Sequence, residues 1–389
     1  MATFLVIWLS TQLVSVAAVF AFLIGFPRPA TPAREPKVAV IVAVKGHGTE
    51  LDGFLAGLFA QDYADYRVIF AVEAADDAAV PAIEAWRRRL SDRVTLVVAG
   101  LAIDEGQKTT NLRAALPLLT PADEVLVLAD ADIWMERDWI KRLVAPLLDD
   151  SADVVSGFTW LVLHDRKLSS LVLASMSAGL VTIPRMPLLN AAWGGSTALY
   201  RRTFEKLGMA QEWRGTLSDD LHLTNVAQRA GCRIVAPREV LPRTIIETQG
   251  FGEVADQARR WYMLVRVHMP ATYALTVAAL TFGAVGWATA MIGAAAGDPT
   301  ALRVLAAGFA CAVWRDIGRA ILVARLFGPA GLAENLRFLL ADPVLAPFAM
   351  MFNAGCGWSA LTMRRTTWAG VTYELLAPQR VRIVSRRSE

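Results

Sequence analysis

An α/β domain joined to membrane-spanning helices is the fold class that the sequence predicts. Three observations predict it. The 389-residue chain is 55% hydrophobic yet 19% charged, with a mean hydropathy of +0.40. That is too apolar for a soluble domain alone and too charged for membrane helices alone. Residues 2–26 and 269–297 carry no charged side chain. Between them, apolar runs of strand length alternate with helical patterns, the signature of an α/β sheet.

Residues 4–26 as one helix would measure roughly 34 Å, enough to cross a bilayer. Arg28, Arg34 and Lys37 follow among prolines. A cleaved signal peptide would carry a basic start and a shorter apolar core, and this stretch has neither. It reads as a retained anchor over residues 1–27, with the basic flank and the following domain cytoplasmic.

From Lys37 the character changes. The runs at 38–44, 66–72, 94–98 and 125–129 are short, continuous and rich in Val, Ile and Leu. They predict buried strands of a mainly parallel sheet, with helices between them. In such sheets ligands bind at the carboxyl ends of the strands. Those ends carry Lys45, then Glu73, Asp76 and Asp77, then Asp130 and Asp132. Asp and Gly also favour turns for their own reasons, but three successive strands ending in charged residues argue for a binding site. Gly106 to Asn111 opens another helix and includes Lys108. Residues 160–187 are apolar but interrupted by His164 to Lys167, which fits an amphipathic helix on the membrane or a core helix equally. Residues 191–197 form a small-residue loop, and Gly194 and Gly195 would let backbone approach a ligand closely.

Asp130-Ala131-Asp132 at a strand end suits a hard divalent cation, Mg²⁺ or Mn²⁺, bridging a diphosphate. Asp219 and Asp220 follow Ser218 just before a helical apolar pattern. One of these residues suffices as an N-cap, and a carboxylate there could also take a proton from an attacking hydroxyl. Gln257, Arg260 and Trp261 lie within about one helical turn. Arg suits phosphate oxygens, and Trp offers a flat wall for a sugar or lipid edge. The same helix, 257–270, also reads as an amphipathic interface segment. Residues 269–297 then span the bilayer and 302–327 return, despite Arg315, Asp316 and Arg319. Those charges fit a pathway or headgroup contact and a snorkelling position equally well. Residues 343–363 are uncharged but hold two prolines and two glycines, and read as re-entrant or interfacial within a transmembrane region over 271–363. Residues 364–389 form a basic cytoplasmic tail with Arg364, Arg365, Arg380, Arg382, Arg386 and Arg387. Cys232, Cys311 and Cys356 are far apart and imply neither a disulfide framework nor a metal site. The net charge of +3 gives no argument for nucleic acid, and none is expected as a partner.

Taken in order, Asp76-Asp77, Asp130 with Asp132, Asp220, and Gln257, Arg260 and Trp261 match a D…D…D…(Q/R)xxRW signature. The chain resembles membrane-bound family 2 glycosyltransferases with a GT-A fold, and within them the ceramide glucosyltransferase branch. Leu217-Ser218-Asp219-Asp220, His268-Met269-Pro270 and Thr367-Trp368-Ala369-Gly370 add to the likeness, which covers nearly the whole chain. The resemblance implies a cytoplasmic GT-A domain over 37–256 at a bacterial inner membrane, taking a nucleotide sugar. It implies that Lys45, Glu73 and Asp76 or Asp77 contact the nucleotide, and that Lys108 lies near the uracil or diphosphate. Asp130 and Asp132 would hold metal and diphosphate, and Asp220, beside Asp219, would be the base. Gln257, Arg260 and Trp261 would close over diphosphate and acceptor, and Gly194, Gly195 and Trp368 would line the substrate site. The first acidic element lacks the Asp-Gly-Ser of many relatives, so the choice between Asp76 and Asp77 stays open. Few spans follow the domain, which favours a lipid acceptor over a polysaccharide channel. Ceramide leads, with a hopanoid or diacylglycerol as alternatives. A processive synthase and an inactive scaffold are the competing functions.

Overall fold

Each apolar run read as a strand is one in the computed structural model, which describes residues 1–26, 34–182 and 190–386. Arg28, Arg387 and the end of the 160–187 segment lie outside the described residues. In chain order the first strands are β1 (Val38–Ala43), β2 (Tyr66–Val72), β3 (Val94–Val98) and β4 (Val125–Asp130). There follow β5 (Ile133–Trp134), β6 (Val154–Ser156), β7 (Trp160–Leu163), β8 (Ser196–Tyr200), β9 (Ile234–Val235) and β10 (Arg243–Ile246). The last three are β11 (Arg365–Trp368), β12 (Val371–Ala377) and β13 (Arg380–Arg386).

The chain divides into two compact units. One consists of Pro27–Thr159, Arg185–Thr244 and Arg364–Glu389. Its seven-stranded sheet has the order β3-β2-β1-β4-β8-β6-β9. The β1–β2, β2–β3 and β1–β4 pairs are parallel, and β8 runs antiparallel to β4 and β6. Strand alternation sends Val38, Val40 and Val42 into one core with Phe54 and Leu58. It sends Ala39 and Ile41 into a second core with Leu112 and Leu126. Burial on both faces is why these strands read as unbroken apolar runs. At the far end of the sheet, Arg67 makes a two-pronged bond to the buried Asp123, at 2.9 and 2.6 Å. Residues 364–389, expected as a basic tail, include a three-stranded antiparallel sheet, β11-β12-β13. Within it Glu374 pairs with both Arg365 and Arg382.

The other unit consists of Met1–Phe26, Trp160–Pro184 and Ile245–Met363. The boundary therefore differs from the expected 37–256 domain, because residues 160–184 and 245–256 belong here. The cause is Leu168–Val181, which buries ten of its fourteen residues. That burial on all sides fits a core helix rather than an amphipathic one. Val172, Leu173 and Met176 pack against Val254, Ala258, Ala349 and Cys356.

Three helices of this unit are long and apolar enough to cross a membrane: Ala2–Leu23, Pro270–Ala295 and Pro299–Ser359. The last is kinked at Gly328, whose φ of 69° and ψ of −170° only glycine adopts readily. Beyond the kink, helix continues through residues 343–359, the stretch expected to be re-entrant or interfacial. Small residues let the helices approach. A Cβ at Gly286 would lie 2.0 Å from Trp8 Cδ1, and one at Gly308 would lie 2.8 Å from the same indole. Trp8 in turn meets Trp287 edge-on, with centroids 4.9 Å apart.

The interrupting charges are paired inside the helices. Arg319 bonds Asp316 at 2.9 Å and Asp342 at 2.6 Å, and Arg315 donates to Gln12 at 2.8 Å. Asp316, Arg319 and Asp342 are 4%, 5% and 2% exposed, so Arg319 is not snorkelling. Asp342 was not singled out from the sequence, because its partner is 23 residues away.

The seat of Trp8 gives a test. Gly286→Leu should destabilise the protein by about 1–3 kcal/mol through overpacking, read as a lower unfolding temperature in detergent. An unchanged unfolding temperature would show that Trp8 has another place to go.

Candidate active site

The sheet sets the spacing of the site. Ala43 is in register with Ala71 on β2 and with Asp130 on β4. The strand ends carrying Lys45, Glu73 and Asp130 therefore lie side by side, about 4.8 Å from strand to strand. Lys45 Nζ is 3.4 Å from both carboxylate oxygens of Glu73. Asp77 accepts hydrogen bonds from the backbone N–H of Gly46 at 2.9 Å and of Ala79 at 2.8 Å. It thereby ties the loop after β2 to the loop after β1, while Asp76 is exposed.

The second cluster gathers around Lys108, on the helix Gln107–Ala115. Its ammonium is 2.7 Å from Asp130 Oδ1 and 3.3 Å from Asp219 Oδ1. Burial works against the charged form, but the carboxylates of Asp130, Asp219 and Asp220 outweigh it and hold Lys108 above its usual range. Asp219 is 2% exposed. Burial pushes its carboxyl up to about 6, Lys108 opposing and Asp220 adding to the rise. Its Oδ2 has no hydrogen-bond partner. A Cβ at Gly194 would lie 2.6 Å from both Asp219 Oδ2 and Lys108 Nζ, so the ion pair needs a glycine there. Gly195 accepts from the backbone N–H of Asp130 at 3.4 Å.

Ser218 is the N-cap of Asp219–Arg229, its hydroxyl accepting from the Leu221 N–H. That leaves Asp219 and Asp220 in the first turn, where the helix end favours negative charge. Asp220 is half-buried. It accepts from the Ser218 hydroxyl, from Leu221 N–H at 2.7 Å and from Gly194 N–H at 3.3 Å. These bonds fix the carboxylate beside the Lys108 cluster.

The structure thus brings together Lys45, Glu73 and Asp77, and separately Lys108, Asp130, Asp219, Asp220 and Gly194. Gln257, Arg260 and Trp261 lie on Phe251–His268, in the unit that holds the long apolar helices. Burial lowers the pKa of Arg260, and Trp261 packs beside Val254 and Ala258. Trp368 is half-buried on β11, opposite Val371. Sequence reasoning missed three residues around the Gln107 helix. The Gln107 N–H donates to Tyr373 Oη at 3.1 Å, and Arg386 donates to the Gln107 side chain at 3.2 Å. Glu105 binds Arg113 at 2.6 Å. Only the short spacing of Glu105 and Arg113 left any signal in the sequence.

Among the described residues no group of three or more His, Cys, Asp or Glu side chains forms a metal cage. Mg²⁺ is commonly held by only one or two carboxylates, with water and substrate phosphates completing the shell. Asp130 and Asp132 fit that donor set. Asp132 is solvent-exposed yet crowded by protein. The crowding, and then the Asp130 carboxylate, push its carboxyl up to about 6. The like charge of Asp130 adds repulsion to that cost. A cation between the two would relieve that repulsion.

A mannosyltransferase from Pyrobaculum calidifontis in complex with GDP-mannose and Mn²⁺ superposes with a TM-score of 0.53 at 20% identity, covering 88% of this chain and 99% of that one. It shares the GT-A fold. TarS of S. aureus, residues 1–349 with UDP, gives 0.42 at 11% identity over 90% and 100% of the two chains. Glucosyl-3-phosphoglycerate synthase of Mycobacterium tuberculosis, with Mn²⁺, UDP and glucosyl-3-phosphoglycerate, gives 0.37 at 14% over 60% and 80%. No curated protein matches the sequence. The family model for glycosyl transferase family 21 matches residues 3–381, and the chain belongs to that family of glycosyltransferases.

Proposed function

We propose that the chain is an inverting hexosyltransferase. It moves a hexose from a nucleotide sugar, UDP-glucose or a close relative, to the hydroxyl of a membrane lipid, with ceramide as the leading acceptor. The observation that carries this reading is the cluster in which Lys108 joins Asp130 to Asp219 while Asp220 is bonded to Gly194 N–H. A diphosphate-side carboxylate and a candidate base are thereby fixed in one strand-end site. The three long apolar helices support a lipid acceptor and an integral location, with the strand-end site on the cytoplasmic side of a bacterial inner membrane.

In this reading Lys45, Glu73 and Asp77 hold the nucleotide end of the donor. Asp77 also ties the two loops together, which favours it over Asp76 for the first acidic role. Asp130 and Asp132 would hold Mg²⁺ or Mn²⁺, which supplies positive charge to the departing diphosphate. The acceptor oxygen attacks the anomeric carbon, and the bond from that carbon to the diphosphate oxygen breaks. Asp220 takes the hydroxyl proton, and attack on the face opposite the leaving diphosphate inverts the anomeric configuration in one displacement. Lys108 holds Asp130 and Asp219 in place. Gln257, Arg260 and Trp261 act on the diphosphate and acceptor, with Gly194, Gly195 and Trp368 lining the substrate site.

Asp220→Asn should lower turnover by about 10²–10⁴-fold, the range for loss of a general base, while donor binding persists. Turnover at the wild-type rate would remove Asp220 from that role. A chelator should abolish transfer, with Mg²⁺ or Mn²⁺ restoring it; full activity in the chelator would remove the metal. The function itself is checked by incubating membranes with nucleotide sugars and lipids and weighing the product. A ceramide carrying one hexose supports the proposal, a glycosylated hopanoid or diacylglycerol changes the acceptor, and a polymer or no product overturns it.

A further inference from the structure

One buried carboxylate of the sheet unit has no part in the proposed transfer. Glu105 is 5% exposed and stands just before the helix Gln107–Ala115 that carries Lys108. It accepts from Arg113 at 2.6 and 2.8 Å and from the Thr110 hydroxyl at 2.8 Å. Thr110 and Arg113 share one face of that helix, at i and i+3. The remaining partner is outside the helix: the backbone N–H of Gly215 donates to Glu105 at 3.1 Å. Arg113 reaches the same neighbourhood, donating to the Ala210 carbonyl at 3.4 Å.

Gly215 opens the segment that leads into the helix Asp219–Arg229. Its neighbour Thr216 accepts from the Gly106 N–H at 2.9 Å. A Cβ at Gly106 would lie 3.0 Å from the Leu217 carbonyl oxygen, so the two backbones touch. Lys108 follows shortly after Gly106, and Asp219 shortly after Leu217, and their side chains meet at 3.3 Å. A single backbone bond is a pivot about which two segments can turn. Glu105 adds a second point of attachment, and two points fix the angle between them. A carboxylate suits that place because it only accepts, at two oxygens, and three donors converge on it. An amide there would aim its own N–H groups at one of those donors.

We propose that Glu105 is a positioning residue for the transfer. By joining Thr110 and Arg113 to the Gly215 N–H, it sets the register in which Lys108 meets Asp219, and with it the place of the adjoining Asp220 carboxylate. The inference rests on the reading of Asp220 as the base. It differs from a brace that contributes stability alone, which the same bonds would also serve.

The test uses the full chain in detergent with UDP-glucose and ceramide in mixed micelles. Turnover is read from the UDP released, beside a thermal melt. Glu105→Gln keeps the size of the side chain and removes one acceptor oxygen. The expected result is a kcat lower by about 10–100-fold, the scale of a ~1 Å misplacement. The donor KM stays unchanged, because Lys45, Glu73 and Asp77 are untouched, and so does the melting temperature. In an Asp220→Asn background the same substitution should cost about twofold or less, since the group it places is already gone. Glu105→Asp, one methylene shorter, carries the same expectation if the glutamine variant melts early. Wild-type kcat in either folded variant overturns the inference. So does a loss that tracks a fall in melting temperature in both, a higher KM with kcat kept, or an undiminished loss in the Asp220→Asn background. Wild-type turnover in Asp220→Asn alone, or a wild type that releases no UDP, instead sinks the reading on which the inference depends.

Discussion

The ammonium of Lys108 between Asp130 and Asp219 is the interaction on which the strand-end cluster depends. Three carboxylates converge there from β4 and from the first turn of Asp219–Arg229, and like charges so placed repel. Lys108 offsets part of that repulsion and leaves the cluster negative. Burial, with Asp220 adding to it, raises the pKa of Asp219, and Gly194 leaves room for the pair. Asp130, with one side toward Lys108, and Asp132 remain available to a divalent cation. Asp220 keeps its own bonds to Ser218, Leu221 and Gly194. The arrangement of these acidic residues thus depends on where one cation sits.

The helical unit meets the opposite difficulty, charge in an apolar setting. Arg319 answers it by pairing with two carboxylates, one on its own stretch of helix and one beyond the Gly328 kink. Removing one partner of such a pair leaves a buried charge uncompensated, which is more costly than never having placed the pair there. The contact therefore specifies how the two parts of the kinked helix come together. Glycines beneath Trp8 and Val19 do the same for the amino-terminal helix by shape alone.

Much of the sheet was legible in the sequence because burial on both faces leaves an unbroken apolar run. Val38 to Val44 and Val125 to Ala129 could hardly be anything else. The acidic strand ends were legible for a related reason: polar residues are forced to the point where the run stops. Other features were not legible because their partners are remote in sequence. Arg386 and Tyr373 reach Gln107 across more than 260 residues, at separations of 279 and 266, and a basic carboxyl-terminal stretch looks the same whether it pairs or dangles. Leu168–Val181 carried no periodicity because it is buried on all sides, so its unit could not be assigned. What sets Asp77 apart from Asp76 is its bond from a backbone N–H, that of Gly46, which no side-chain pattern encodes.

The order in which the chain visits its two units has a consequence for biosynthesis. It passes between them at Phe26/Pro27, Thr159/Trp160, Pro184/Arg185, Thr244/Ile245 and Met363/Arg364. The sheet unit is therefore not one contiguous stretch, and its last piece, β11 to β13, is translated after all three long apolar helices. A ribosome cannot release a finished sheet unit early and thread the helices later. Gln107 acquires its bonds to Arg386 and Tyr373 only once the apolar helices have been made.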